Sequence, residues 1–426
     1  MSIVNECISK QQGFTLHTVK TDKYKTNTIV WKMKAPLTNE DVTVRGLLPY
    51  VLQSSTATYT TTTALRSYLD DLYGANFFVD LSKKGENHVI SFSIEIANEK
   101  FLTNSPPLLK KALAFLADVI LNPNLENGSF HDGTVEQEKR NQKQRIQAIY
   151  DDKMRFSSAR LVQEMCKGEP YAIQPAGIKE EVEGVTSNNL FDYYKRAINE
   201  DELDLYVIGD VDDQEVNTYC EELFHLSERQ GQASSVTRSS ERSEIQVIKE
   251  EQAVNQGKLN IGYRTHVTYG ETDYYALQLF NGIFGGFSHS KLFINVREKA
   301  SLAYYAASRL ESHKALLMVM SGIDINHYDQ AVTIIKEQME EMKQGNFTED
   351  EIDQTKAVIR NQLLETIDTA RGLVEVLYHN VVAKTNIHLN DWLTQIEKTT
   401  KDEIIDVAQK IEMDTIYFLT GMEGEQ

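Results

Sequence analysis

The chain has 426 residues, 41% of them apolar, with 44 Lys and Arg against 63 Asp and Glu for a formal charge of −19. That length and apolar content fill more than one core, and so acidic a surface repels nucleic-acid backbones and anionic lipid while tolerating a basic peptide. Cys7, Cys166 and Cys220 form no C-x-x-C pair, the start of the chain lacks a basic-then-apolar leader, and the apolar runs are too short for a bilayer, so reduced thiols, a cytoplasmic location and no membrane partner are expected.

Alternating β-branched and polar residues from 14 to 35 read as a hairpin around Asp22 and Lys23. Residues 60 to 73 change to helical spacing after a run of threonines able to cap. A second hairpin runs from Phe77 to Ile96 across Lys-Lys-Gly-Glu-Asn, and a helix from Pro106 to Leu121 carries its prolines at the start, where the missing N–H is harmless. A long charged helical stretch spans 132 to 166, a strand 203 to 209, and a helix follows from Asp213. Residues 226 to 243 are almost devoid of apolar side chains and read as a linker between a lobe at 1–225 and a lobe at 244–426.

Beyond the linker the same order of elements returns. Strand (258–270), helix and turn (274–286), paired strands (301–325), helix (328–345), long helical stretch (348–382), helix (401–411) and strand (414–421) follow in turn. Within this order FHDGTVEQEKRNQ matches FTEDEIDQTKAVIRNQ, placing Phe130 opposite Phe347 and Lys139 opposite Lys356. A repeat of about 200 residues is too long for a solenoid. The expected fold is therefore α+β, two homologous lobes, each a mostly antiparallel or mixed sheet with helices packed on one face.

Several segments resemble the pitrilysin-type (inverted-motif) zinc peptidases, which include insulin-degrading enzyme and the mitochondrial processing peptidase. Arg297-Glu298-Lys299-Ala300-Ser301-Leu302-Ala303-Tyr304 is similar to that family's R-E-x-x-G-L-A-Y, with Ser301 for the usual Gly. Phe284 to Leu292 resembles the glycine-containing loop before it, and LDDLYGANF (69–77) and EPYAIQPAGIKEEVEGVT (169–186) add to the likeness. The resemblance implies substrate-peptide contacts at Arg297 and Tyr304, and at Gly285 and Gly286 in the loop. It also implies an H-x-x-E-H zinc motif in the first lobe with a third ligand on a later helix. Here those positions read Pro49, Leu52 (the general base) and Gln53, and the third ligand reads Arg145, although Glu138 matches the first of the family's glutamate pair.

Proline has no side-chain donor, glutamine is a poor neutral ligand, arginine is a permanent cation, and leucine takes no proton from water. No H-x-x-E-H or H-E-x-x-H occurs elsewhere. No metal and no catalysis are thus expected of this chain alone. One reading is a non-catalytic, peptide-binding subunit of a two-chain zinc peptidase, with zinc in a homologous partner that processes or degrades peptides. The alternative is a structural or scaffold protein with no proteolytic role. An independent hydrolase lacks a supporting nucleophile–base motif, and Gly286-Phe287-Ser288-His289-Ser290 misses G-x-S-x-G by its last residue.

Overall fold

Two mixed sheets of matching strand order organise the computed structural model, which describes residues 3–103, 106–229 and 244–421. By their contacts these residues form two units, one from the spans 1–148, 173–236 and 367–376, the other from 149–172, 237–366 and 377–426.

The first unit contains β1 (Glu6–Gln11), β2 (Phe14–Lys20), β3 (Thr26–Pro36), α1 (Asn39–Ser54), α2 (Thr62–Asp71), β4 (Asn76–Lys84), β5 (Asn87–Ala97), α3 (Leu108–Leu121), a two-residue pair β6 (Leu125–Glu126) and β7 (Ser129–Phe130), and α4 (Asp132–Asp151). After α5 (Lys153–Met165), which lies with the second unit, it resumes with α6 (Ser187–Glu200), β8 (Glu202–Gly209) and α7 (Asp213–Leu223). The second unit adds β9 (Gln246–Gln252), β10 (Gly257–Arg264), α8 (Tyr274–Asn281), β11 (Ala303–Glu311), β12 (Leu316–Ile323), α9 (Tyr328–Lys343), α10 (Glu349–Thr366), the second half of α11 (Ala370–Ala383), whose first half belongs to the first unit, α12 (Leu389–Lys398), α13 (Lys401–Gln409) and β13 (Glu412–Gly421).

The sheet of the first unit runs β1-β2-β8-β3-β5-β4 and that of the second β11-β12-β10-β13-β9. Read from the opposite end, the second repeats the first without β1. Its one parallel pair, β13 with β9, stands where β8 pairs parallel with β2. The repeat extends to side chains. Phe130 and Phe347 are both buried, and Lys139 and Lys356 each donate to a backbone carbonyl, of Glu183 at 3.3 Å and of Glu397 at 3.0 Å.

Period-two patterning decides which face of each sheet meets its helices. Ile29, Trp31 and Met33 of β3 and Ile90, Phe92 and Ile94 of β5 join Leu48, Leu52 and Leu113 in the first core. The 132–166 stretch is broken at Asp152, whose carboxylate caps α5 by accepting from the backbone N–H groups of Met154 and Arg155. Leu161, Met165 and Tyr171 then pack on Leu316, Met318 and Tyr417 of the second sheet. That sheet therefore has a helix on the face opposite its main helical layer, beyond the one-face expectation. The 348–382 stretch breaks likewise, and residues 367–376 lie with the first unit.

Leu226, expected to open the linker, is buried in the first core; residues 230–243 of that expectation fall outside the described residues. Cys166 and Cys220 are buried and Cys7 is exposed. No described helix is long and apolar enough to cross a membrane.

His17 on β2 lies between two carboxylates, with Nδ1 2.8 Å from Glu6 and Nε2 3.0 Å from Asp204. Burial depresses its pKa, but the hydrogen bonds to Asp204 and Glu6 outweigh burial and leave it raised. A raised histidine stabilises the fold fully below its unfolded value, and that contribution disappears as pH rises through the folded value. The stability difference between the natural chain and His17→Gln, measured by urea unfolding from about pH 6 to about pH 9, should shrink as pH rises. A difference that grows would contradict this geometry.

Candidate functional site

The site begins where α1 crosses α4. Thr38 caps α1 by accepting from the backbone of Asp41. At the crossing, Gln142 donates to the carbonyls of Thr43 and Ala176 at 3.0 and 2.9 Å. Gly46 permits this approach, since a Cβ there would stand 2.9 Å from Gln142 Nε2 and 3.0 Å from the Ala176 oxygen. One turn further along both helices, Tyr50 and Arg145 meet, the guanidinium lying 3.5 Å from the ring centroid.

Glu138 approaches Arg145 at 3.7 Å and is itself held by Asn141 at 3.0 Å. Burial draws the Arg145 pKa down, with Tyr50 and Glu138 opposing; burial raises the Tyr50 hydroxyl, with Arg145 opposing. The Nη2 atom of Arg145 is buried without a hydrogen-bond partner among the described residues.

The other three positions of the degenerate motif are equally unlike a metal site. Pro49 is buried inside α1 and offers the helix no N–H for the Arg45 carbonyl. Leu52 is wholly buried in the core. Gln53 directs its amide at the Phe77 carbonyl, 3.4 Å away on β4. Zinc does not fit this set, which brings one guanidinium and no imidazole or carboxylate to the three ligand positions. Among the described residues no three His, Cys, Asp or Glu side chains gather as a metal-binding group. Beside this crossing β4 is the last strand of its sheet among the described residues, so one row of its backbone groups has no strand partner there.

The residues expected to contact peptide lie in the second unit. Arg297 is exposed at the end of a π-helical segment, Phe293–Lys299, its guanidinium 4.5 Å from the Phe293 ring. Tyr304 is 77% exposed. It is the extra residue of a β-bulge, since Ala303 pairs with Ile323 and Tyr305 with Gly322, and a bulge turns such a side chain out of the ladder. Ser301 has φ 52°, the left-handed backbone that explains why a glycine is usual there. No hydrogen bond joins Arg297 to Tyr304.

Gly285 is buried, and a Cβ on it would stand 2.5 Å from Ser308 Oγ and 2.7 Å from Leu292 Cδ1. Close packing with β11 accounts for this glycine. Gly286 is half-buried, and its Cβ would stand 2.9 Å from the Asn281 amide. Sequence reasoning missed Tyr50; its place one residue after Pro49, on the rim of a buried helix, was the available signal.

A duplicated mixed α+β unit with a metal motif emptied of donors defines the class of inactive metallopeptidase homologues. The sequence profile described as "Peptidase M16 inactive domain" matches residues 184–359. A curated relative, "Probable inactive metalloprotease YmfF" of Bacillus subtilis, is 54% identical over 100% of both chains. The chain belongs to the M16 peptidase family as an inactive metalloprotease homologue. A crystal structure of a conserved protein from Enterococcus faecalis V583 superposes with a TM-score of 0.92 at 34% identity, over 99% of this chain and 100% of that one. A second, of a peptidase M16 inactive domain from Pseudomonas fluorescens, gives 0.81 over 100% of both chains; at 16% identity it speaks for the fold alone.

Proposed function

We propose that this chain is the non-catalytic, peptide-binding subunit of a two-chain zinc peptidase of the cytosol, acting in peptide processing or degradation with a homologous zinc-bearing partner. One observation carries the reading. The metal position of the first unit is filled by Arg145 stacked on Tyr50, while Arg297 and Tyr304 of the second unit remain exposed. Loss of the metal without loss of these two side chains suits a chain that still grips peptide but leaves water activation to another.

The chemistry assigned to them is modest. Arg297 would hold peptide carbonyls or a carboxylate, and the Tyr304 hydroxyl would donate to a developing oxyanion at the partner's zinc. The open backbone row of β4 supports the reading too, because an extended peptide can add to such an edge as a further strand.

The test mixes the purified chain with a zinc-bearing homologue from the same cell and follows cleavage of an unfolded polypeptide. Cleavage is expected only, or far faster, in the mixture, and Tyr304→Phe should lower it about a hundredfold. A mixture no faster than the homologue alone would leave the scaffold reading in its place.

A further inference from the structure

Between α8 and β11 the chain twice takes the rare π-helical form, at Gly282–Gly286 and at Phe293–Lys299. A π-turn bonds a carbonyl to the N–H five residues on, one further than an α-turn does, and such turns concentrate at functional sites. The form is uncommon because the α form is preferred, so neighbouring contacts must hold a π-turn open.

The second of these turns carries Arg297, and its contacts converge on Asn295. The Asn295 carbonyl accepts from the Ala300 N–H at 3.2 Å, the i to i+5 bond that encloses Arg297. Its side-chain Nδ2 donates to Gln338 Oε1 on α9 at 2.6 Å, and its Oδ1 accepts from Lys299 Nζ at 3.1 Å. Gln338 is only 9% exposed, and a hydrogen bond shielded from water is stronger than one on the surface. One residue on, the carbonyl of wholly buried Val296 accepts from the Leu302 N–H at 3.1 Å, across the left-handed Ser301. That bond leads the chain into the bulge at Tyr304. All of these residues belong to the second unit.

Arg297 itself is exposed, so the backbone of this turn sets where its side chain points. If the Asn295 carbonyl were bonded at i+4, the turn would lose one residue. Side chains beyond it would swing by roughly 100°, the rotation of one residue in an α-helix. The anchor that opposes this change is the bond from Asn295 to α9.

We propose that Asn295 is the positioning residue for Arg297: by tying the π-turn to Gln338 it aims the guanidinium at a peptide held beside Tyr304. This inference rests on the reading that Arg297 grips peptide.

The experiment measures KM and kcat for cleavage of fluorescein-labelled casein, an unfolded polypeptide, by the full chain mixed with its zinc-bearing homologue. Asn295→Leu, of similar volume, should raise KM about tenfold and leave kcat within about twofold, because Arg297 holds substrate and transition state alike. Gln338→Leu should do the same. Gln338→Glu keeps an acceptor for the Asn295 amide and should retain the natural KM. In a chain that already carries Arg297→Ala, Asn295→Leu should change nothing further, whereas a residue that merely stabilised the fold would lower activity in both backgrounds. Thermal unfolding of each variant confirms a folded chain, and Gln338→Leu decides if Asn295→Leu does not fold. An unchanged KM in the folded Leu variants, or a further loss in the Arg297→Ala background, would overturn this assignment and leave the subunit reading standing. A natural mixture that cleaves nothing would remove both.

Discussion

A triple variant, Pro49→His with Gln53→His and Arg145→Glu, is expected to take up about one zinc per chain where the natural chain takes up none. Positions 49 and 53 are four residues apart on α1 and so share one face. Position 145 is held next to that face by the Gly46–Gln142 crossing, as the stacking of Arg145 on Tyr50 shows. Two imidazoles and a carboxylate are the ligand set of many catalytic zinc sites. Replacing Pro49 also returns an N–H to the helix interior, lifting a cost of about 3 kcal/mol. Metal analysis after dialysis measures the uptake. With Leu52 unchanged the variant should hold zinc and still hydrolyse nothing, since no side chain there accepts a proton. A folded triple variant without zinc would mean that these three positions do not converge.

The second large effect is on stability. Asp201→Ala should cost the first unit about 3–5 kcal/mol, because it strands a buried cation. Arg45 is 1% exposed and 2.7 Å from Asp201. It also donates to Tyr193 Oη at 3.0 Å and to the carbonyls of Met33 and His88 at 2.9 and 3.2 Å. Burial pushes the Asp201 carboxyl up, but Arg45 opposes it, and the pair ties α1 and β3 to the end of α6. Asp192→Ala, which breaks an exposed pair with Lys195, should change stability by less than about 1 kcal/mol. Urea unfolding compares the two. A loss at Asp201 no larger than that at Asp192 would contradict the burial of the Arg45 pair.

Most of the fold is legible in the sequence because its signals are local. The alternation in Phe92-Ser93-Ile94-Glu95-Ile96 marks β5 and its buried face, and the two Phe–Lys segments mark the repeat before any strand order is known. Helix α1 is harder to see, for a proline interrupts it, and its position comes from the family resemblance instead. The breaks at Asp152 and at residues 367–369 are also hidden. Charged residues continue on both sides of Asp152, so its cap disappears into a helical pattern, and nothing local says that the next helix packs on the other sheet. The donor-less metal motif can be read residue by residue. The stacking of Arg145 on Tyr50 cannot, because it depends on where α1 and α4 cross. A cavity of about 640 Å³ on the face of the first sheet turned away from its core is invisible for the same reason: its floor and wall come from β3, β4, β5 and α11, more than two hundred residues apart.

Metal analysis of the chain isolated from its native cells, first with its associated proteins and then after separation from them, tests the central claim most directly. The account predicts that zinc and peptide cleavage go with a co-purifying chain, and that this chain, alone, carries neither. Zinc retained here at one equivalent, with chelator-sensitive cleavage by the separated chain, would contradict it.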